Sequence, residues 1–300
     1  MNKSADLWLY VEKAKPEIEK SLRKNLPLAP AALGTDFNEA LFYAMFPGGK
    51  RLRPVLTLLA AELVGGAHEK VFSAAVAVEF VHTSSLIFDD LPCMDDADER
   101  RGKSCLHRKF GEGNAVLVAL ALLNASYSLV FAGIKNDCTM CATAAIKAHR
   151  ELTECIGAAG MVGGQSIDLA AAKSDEITAE KFESLRNLKT SALMRMSLRL
   201  GAILSGANEN QLNTLSRFAE LLGDAYQTSD DLLDLQEDLH ISQITERRET
   251  FALTRGAMRA QIRVGNLIST AKDVLLTEFG RREPAKMLCE MADYVAERRV

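Results

Sequence analysis

The strongest constraint on the fold is the mostly apolar segment Ala74–Phe88 and the way it ends. Positions Val71-Phe72, Ala75, Val78-Glu79, His82 and Ser85-Leu86 step by three and four residues, the spacing of a helix face. The segment then runs into acid. Asp89, Asp90, Asp95, Asp96, Asp98 and Glu99 crowd together, and Arg100, Arg101 and Lys103 follow. Like charges at the end of an apolar helix repel, and something must offset that cost.

Helical spacing recurs along the chain, with Leu200, Leu204, Leu212, Leu215, Phe218 and Leu221-Leu222 marking further helices. Convincing alternating strands are absent. With only 6% aromatic residues and 7 prolines, the composition is dominated by good helix formers, which points to an all-α fold. Turn-forming clusters place loops at Pro27–Gly34, Phe46–Arg53, Gly65–His68, Gly133–Asp137, Lys173–Thr178, Ala207–Asn210 and His240–Glu249. Thr178 suits a helix N-cap. No Ser/Gly linker divides the chain, so residues 1–300 read as one helical domain without repeats.

A net charge of −4 argues against nucleic acid as the main partner. The N-terminal segment is amphipathic and charged, unlike a signal peptide, and no apolar run is long enough to cross a membrane. The 6 cysteines therefore read as free cytoplasmic thiols, and the isolated Cys138/Cys141 pair as incidental.

A second acidic cluster, SDDLLD, spans Ser229–Asp234. On a helix Asp230 and Asp234 share a face, about 6 Å apart, with Asp231 beside them. A hard divalent cation is the simplest group to offset such repulsion, and all-oxygen ligands suit Mg²⁺, which bridges to substrate phosphates. In the first cluster Asp89, Asp90 and Asp95 are too far apart to share a face of a straight helix. Pro92, however, should end or bend the helix there and let Asp95 fold back towards Asp89.

The cations fit the same chemistry. In Phe46–Pro54 (FPGGKRLRP) glycines let backbone approach an anion, and Lys50, Arg51 and Arg53 supply charge-assisted hydrogen bonds. Arg100 and Arg101 follow the first cluster, and guanidinium forks match diphosphate oxygens. Lys189 and Thr190 add a cation and a hydroxyl, and His82 lies two helical turns before Asp89. Together these suggest a site for two diphosphates, one held through metal and one through cations directly.

The stretches PGGKRLRP, HTSSLIFDDLPCMDDADERRGK, HRKFGEGNAVL, GGQSIDLA, LKTSAL and YQTSDDLLD resemble the trans-type polyprenyl diphosphate synthases, the family of bacterial farnesyl and geranylgeranyl diphosphate synthases. The resemblance runs from about Phe46 to Asp234. It implies the all-α isoprenoid synthase fold around a large central cavity, usually as a homodimer. It implies condensation of isopentenyl diphosphate with an allylic diphosphate. By position, Asp89, Asp90, Asp95, Asp230, Asp231 and Asp234 would hold up to three Mg²⁺ against the allylic diphosphate. Arg100, Lys189, Thr190 and Gln227 would contact or flank it. Lys50, Arg53, His82 and Arg101 would grip isopentenyl diphosphate. Asp89, Asp90, Asp95, Arg100, Lys189 and Asp230 form the implied catalytic set.

Product length in such enzymes is set by the cavity floor, on the helix before Asp89. Ser84 and Ser85 stand where farnesyl-making bacterial relatives tend to carry an aromatic at the first of the two, and Val81 and Phe80 lie deeper. That pattern implies a C20 product, geranylgeranyl diphosphate, with C15 as the alternative. Three features depart from the family pattern. Gln236–Leu253 is short, with Arg247 or Arg248 in place of a lysine and Thr250-Phe251 in place of Thr-Tyr. Ala119-Leu120 replace a Gly-Asp. The C-terminus, Glu297–Val300, lacks a longer basic tail. The short segment raises the alternative of a non-catalytic regulatory subunit. The PGGKRLRP turn argues against a cyclase, which binds no isopentenyl diphosphate.

Overall fold

The computed structural model describes residues 5–46, 48–132, 139–171, 179–238 and 256–297. In chain order the helices are α1 (Ala5–Asn25), α2 (Phe37–Met45), α3 (Leu52–Leu63), α4 (Phe72–Asp89), α5 (Leu106–Phe110), α6 (Glu112–Leu129), α7 (Thr139–Ile156), α8 (Met161–Ala171), α9 (Ala179–Leu204), α10 (Glu209–Asp238), α11 (Ala257–Phe279) and α12 (Glu283–Glu297). A two-stranded ribbon, β1 (Glu99–Arg100) and β2 (Lys103–Ser104), lies between α4 and α5. The all-α expectation holds, with the ribbon as an addition. Its strands are too short to show an alternating pattern.

Helix α4 lies at the centre. Its buried positions run round the whole helix, from Ala74 to Ser84 without a break. A helix apolar on all sides must be enclosed on all sides, and α4 packs against α1, α3, α6 and α9. The helix ends at Asp89 because Pro92 disfavours helix at Leu91. The chain then turns back. The Asp95 N–H donates to the Asp89 carbonyl at 2.9 Å, and the Leu91 N–H to the Phe88 carbonyl at 3.2 Å, which satisfies carbonyls the helix leaves open.

Helix α9 packs on α3, α7, α8 and α10 and so joins the two halves of the core. Its approach to α10 is close at Gly223, where a Cβ would lie 2.1 Å from Ser191 Oγ. Any side chain there would push α10 outward, one turn before Gln227. Helix α9 starts directly after the predicted cap Thr178, which lies outside the described residues, as do the predicted loops at 133–137, 173–178 and 240–249. The remaining loops fall between helices, except that α3 already includes Leu52 and Arg53 and α10 already includes Glu209 and Asn210.

One expectation is corrected. Cys141 is disulfide-bonded, whereas Cys93, Cys105, Cys155 and Cys289 are free thiols. Spacing in one sequence does not distinguish an incidental CxxC from a bonded cysteine. No described helix is long and apolar enough to cross a membrane.

Candidate active site

Three stripes of α4 face three cavities. Val81, Ser84, Ser85, Phe88 and Asp89 line an apolar cavity of about 320 Å³, completed by Met94, Leu123 of α6, Ile156 of α7 and Met161, Gln165 and Leu169 of α8. Glu79 and His82 line a second, of about 350 Å³, with Lys50, Arg53, Arg101 and Tyr226. Thr83, Leu86 and Ile87, with Asp90 just beyond the helix, line a third, of about 280 Å³, with Arg100, Arg101 and Tyr43. Helical periodicity makes this division, since residues seven and eight apart return to one face.

The apolar cavity carries a carboxylate at one end. Asp89 is buried at the last turn of α4, and Val81 lies two turns deeper, about 12 Å along the axis. Ser84 is also buried, and its hydroxyl donates to the Ala119 carbonyl at 2.9 Å. That bond satisfies the only polar atom Ser84 brings to the wall, so the surface there is small and effectively apolar. Phe80, expected to close the floor, instead sits in the core, fully buried, and does not line the cavity.

The second cavity is crowded with positive charge. Arg53 Nη1 donates to His82 Nε2 at 3.2 Å, so the imidazole proton belongs on Nδ1. His82 Nδ1 and Arg53 Nε are both buried without a protein partner. Burial, and then the neighbouring Arg53, Arg101 and Arg100, hold His82 well below the usual histidine range. Burial likewise lowers Arg53. Buried donors and unneutralised guanidinium groups are costly unless an anion completes them.

Because the unfolded chain protonates His82 first, stability is full above about pH 6.5 and falls as pH drops below it. A His82→Asn variant should lose less thermal stability than the unaltered protein between pH 7.5 and 5. Parallel losses in the two would contradict this account of His82.

The PGGKRLRP turn works differently from expectation. The Arg51 guanidinium is engaged by the protein's own carboxylates. It is buried, donating from Nε to Glu19 at 2.7 Å, from Nη1 to Glu79 at 2.6 Å and from Nη2 to the Met45 carbonyl at 2.7 Å. Burial alone would lower its pKa, but Glu79 and Glu19 more than offset that. The glycines make room for guanidinium groups rather than for backbone contact with a phosphate. A Cβ on Gly48 would collide with Arg51 at 1.9 Å, and one on Gly49 would press Arg101 at 3.0 Å. Arg101 itself takes a left-handed backbone at φ 56° in the ribbon turn. Such strain in a non-glycine residue costs about 1–3 kcal/mol and persists where the surroundings impose it.

Asp90 is buried and paired with Arg100, whose Nε lies 2.7 Å from its Oδ1. The carboxylate keeps further lone pairs, so the pairing with Arg100 leaves sites for a cation. Asp95 is exposed, and its backbone is closed onto Asp89. Thr190 and Gln227 are half-buried on α9 and α10, and Asp230 is half-buried on α10. The helix runs continuously through 230, 231 and 234. The side chains of Lys189, Asp231 and Asp234 lie outside the described residues, as do Arg247, Arg248, Thr250 and Phe251. Tyr226, one turn before Asp230, shares the cationic cavity with His82, so α4 and α10 meet at one site.

Among the described residues no three acidic, His or Cys side chains form a metal cluster. The described donors still fit a hard cation. They are carboxylates, with Asp89 and Asp90 buried, and the softer atoms lining the apolar cavity are the thioethers of Met94 and Met161, poor competitors for Mg²⁺.

Residues 35–244 match the family model "Polyprenyl synthetase". The chain is 36% identical over 294 residues to geranylgeranyl pyrophosphate synthase 11, chloroplastic, of Arabidopsis thaliana, covering 96% of this chain and 78% of that protein. The chain belongs to the polyprenyl synthetase family. It is a prenyltransferase with the isoprenoid synthase fold. It also matches the large subunit 1 of a heterodimeric geranylgeranyl pyrophosphate synthase from the same plant at 34% identity, over 98% of this chain and 80% of that protein. Among solved structures, an FPP/GFPP synthase from Zymomonas mobilis superposes with a TM-score of 0.86 at 31% identity, over 98% of this chain and 99% of that one. A geranyltransferase from Legionella pneumophila gives 0.85 at 28%, over 98% of each chain.

Sequence reasoning missed several wall residues of this synthase. Leu123, Ile156, Met161 and Leu169 are ordinary apolar helix positions, with nothing to mark them as cavity wall. Gln165 was within reach, since it falls inside the quoted GGQSIDLA stretch. Tyr226 directly precedes the flanking Gln227.

Proposed function

We propose that this chain condenses isopentenyl diphosphate with allylic diphosphates and releases geranylgeranyl diphosphate. One observation carries the reading. A single helix, α4, walls an apolar cavity ending at Asp89 and, on another face, an anion-deficient cationic cavity. The first suits a growing prenyl chain whose diphosphate lies at the carboxylates. The second suits the diphosphate of the other substrate.

Asp89, Asp95 and Asp230, with Asp90, Asp231 and Asp234, would hold up to three Mg²⁺, which when bound neutralise the leaving diphosphate. Arg100 stands beside that position and offers its fork as the allylic C–O bond breaks, with Lys189, Thr190 and Gln227 around it. Arg53, His82, Arg101 and Lys50 hold isopentenyl diphosphate with its double bond towards the allylic carbon. Val81, Ser84 and Phe88 keep water away while the allylic carbon is cationic. The new C–C bond forms as the isopentenyl double bond attacks. The proton then lost from the product passes to the released diphosphate.

The small wall at Ser84 and Ser85 favours C20 over C15, and the Arabidopsis relative at 36% identity carries the C20 product in its name. A cytoplasmic location is part of this reading, although that relative is named chloroplastic. A homodimer would cover the face of α6 where Leu117 and Leu120 are half exposed, in line with Phe131 just beyond the helix.

Incubating the purified protein with Mg²⁺, isopentenyl diphosphate and labelled allylic primers, then chromatographing the product, tests the proposal. A C20 product is expected. Ser84→Phe should shift the major product to C15 by filling the wall. An unchanged product from that variant would move the floor away from α4. A stable dimer that turns over no primer would favour the regulatory-subunit alternative.

A further inference from the structure

The ammonium of Lys50 is fixed by an indole ring and a phenol oxygen rather than by a carboxylate. Nζ donates to Tyr294 Oη at 2.6 Å. That places the ammonium beyond the hydroxyl end of the Tyr294 ring, so Tyr294 holds it through the phenol oxygen, while the Trp8 ring centroid lies 5.3 Å away. The two rings meet edge to face at 5.1 Å. Among the described residues Lys50 forms no ion pair. A carboxylate in this place would neutralise the lysine. This cage of one phenol oxygen and one indole ring orients the cation and leaves its charge available.

The cage is built from the first and last helices. Trp8 lies on α1 and Tyr294 on α12, and the Leu7 N–H donates to Glu290 Oε2 at 2.9 Å, which ties the two helices together. Lys50 and Tyr294 both line the cationic cavity that contains Arg53 and His82. An ammonium has three N–H donors, and Tyr294 takes one, leaving two for phosphate oxygens. A lysine on its flexible stem would otherwise lose rotamer freedom on meeting an anion.

We infer that Trp8 and Tyr294 are positioning residues that pre-set Lys50 for the diphosphate of isopentenyl diphosphate. This rests on the proposed function above. Neither residue touches the reacting atoms. Their effect passes through Lys50, so it falls on one substrate and spares the other.

Steady-state kinetics on Trp8→Leu and Tyr294→Leu, varying each substrate in turn, test this. KM for isopentenyl diphosphate should rise about tenfold, while kcat and KM for the allylic substrate stay within about twofold. Trp8→Phe should recover most of the loss, whereas Tyr294→Phe, which removes the oxygen that holds Nζ, should show a rise close to that of Tyr294→Leu. In a Lys50→Met background Trp8→Leu should add little further change. Equal shifts for both substrates, no shift in any variant, or full additivity with Lys50→Met would overturn the inference. Calorimetric titration with inorganic diphosphate reads the cage without turnover. About tenfold weaker binding in Trp8→Leu supports it, and unchanged binding overturns it. Failure of the unaltered protein to elongate any primer counts against the proposed function instead.

Discussion

Asp89→Ala is expected to lower turnover by on the order of 10³ while leaving the fold intact, because it removes a carboxylate that would hold the Mg²⁺ neutralising the leaving diphosphate. Asp89 sits in the last turn of α4, where the helix dipole disfavours an anion, and beside buried Asp90. Its presence there is unfavourable for the isolated helix, so the alanine variant should match the unaltered protein in stability or exceed it by up to about 1 kcal/mol. Turnover at saturating Mg²⁺ and a urea midpoint, measured on the same preparation, check both halves. A variant that unfolds early yet keeps its rate would remove Asp89 from the chemistry.

Arg51→Met should have the opposite signature. Arg51 is buried between Glu19 and Glu79, and the Glu79 side chain is itself only 5% exposed. Removing the guanidinium leaves that carboxylate buried and unpaired, which costs about 3–5 kcal/mol. It also releases the contacts that fix the turn between α2 and α3, since the Met45 carbonyl loses its donor. The remaining folded protein should keep most of its kcat, because the Arg51 guanidinium is already engaged by Glu19, Glu79 and the Met45 carbonyl although the residue borders the second cavity. Adding Glu79→Met to Arg51→Met should recover part of the stability, because the pair is then replaced rather than broken. A loss below about 1 kcal/mol in the single variant would mean that water or rearrangement satisfies Glu79.

The contrast between these two residues shows what was legible in the sequence. Asp89 announces itself: an apolar helix, a proline three residues on and a block of carboxylates require a metal or a cation to be tolerable. The return of Asp95 to Asp89 followed from Pro92 alone. The helical class and most loop positions followed from spacing and from the scarcity of strand formers. Arg51, by contrast, is one of three cations in a row, and nothing local says which of them turns inward. Its direction is set by Glu19 and Glu79, 32 and 28 residues away, and by its left-handed backbone. The same limit hid Tyr294, which meets Lys50 across 244 residues of chain. Phe80 and Val81 are adjacent and both apolar, and only the packing of α6 against α4, with the cavity left between α4 and α8, decides which of them faces the cavity. Sequence thus shows the residues whose chemistry is costly where they stand, whereas it leaves open the partners supplied by remote helices.

The account stands on the two acidic clusters meeting at the mouth of the apolar cavity. Crystals grown with Mn²⁺ in place of Mg²⁺ and an unreactive allylic diphosphate analogue test that directly through anomalous scattering. Metal peaks bridging the analogue to Asp89 and Asp95 on one side and to Asp230 and Asp234 on the other, with the prenyl tail running past Ser84 towards Val81, are the expected result. An analogue bound elsewhere, or metal peaks touching a single cluster with the tail in solvent, would contradict it.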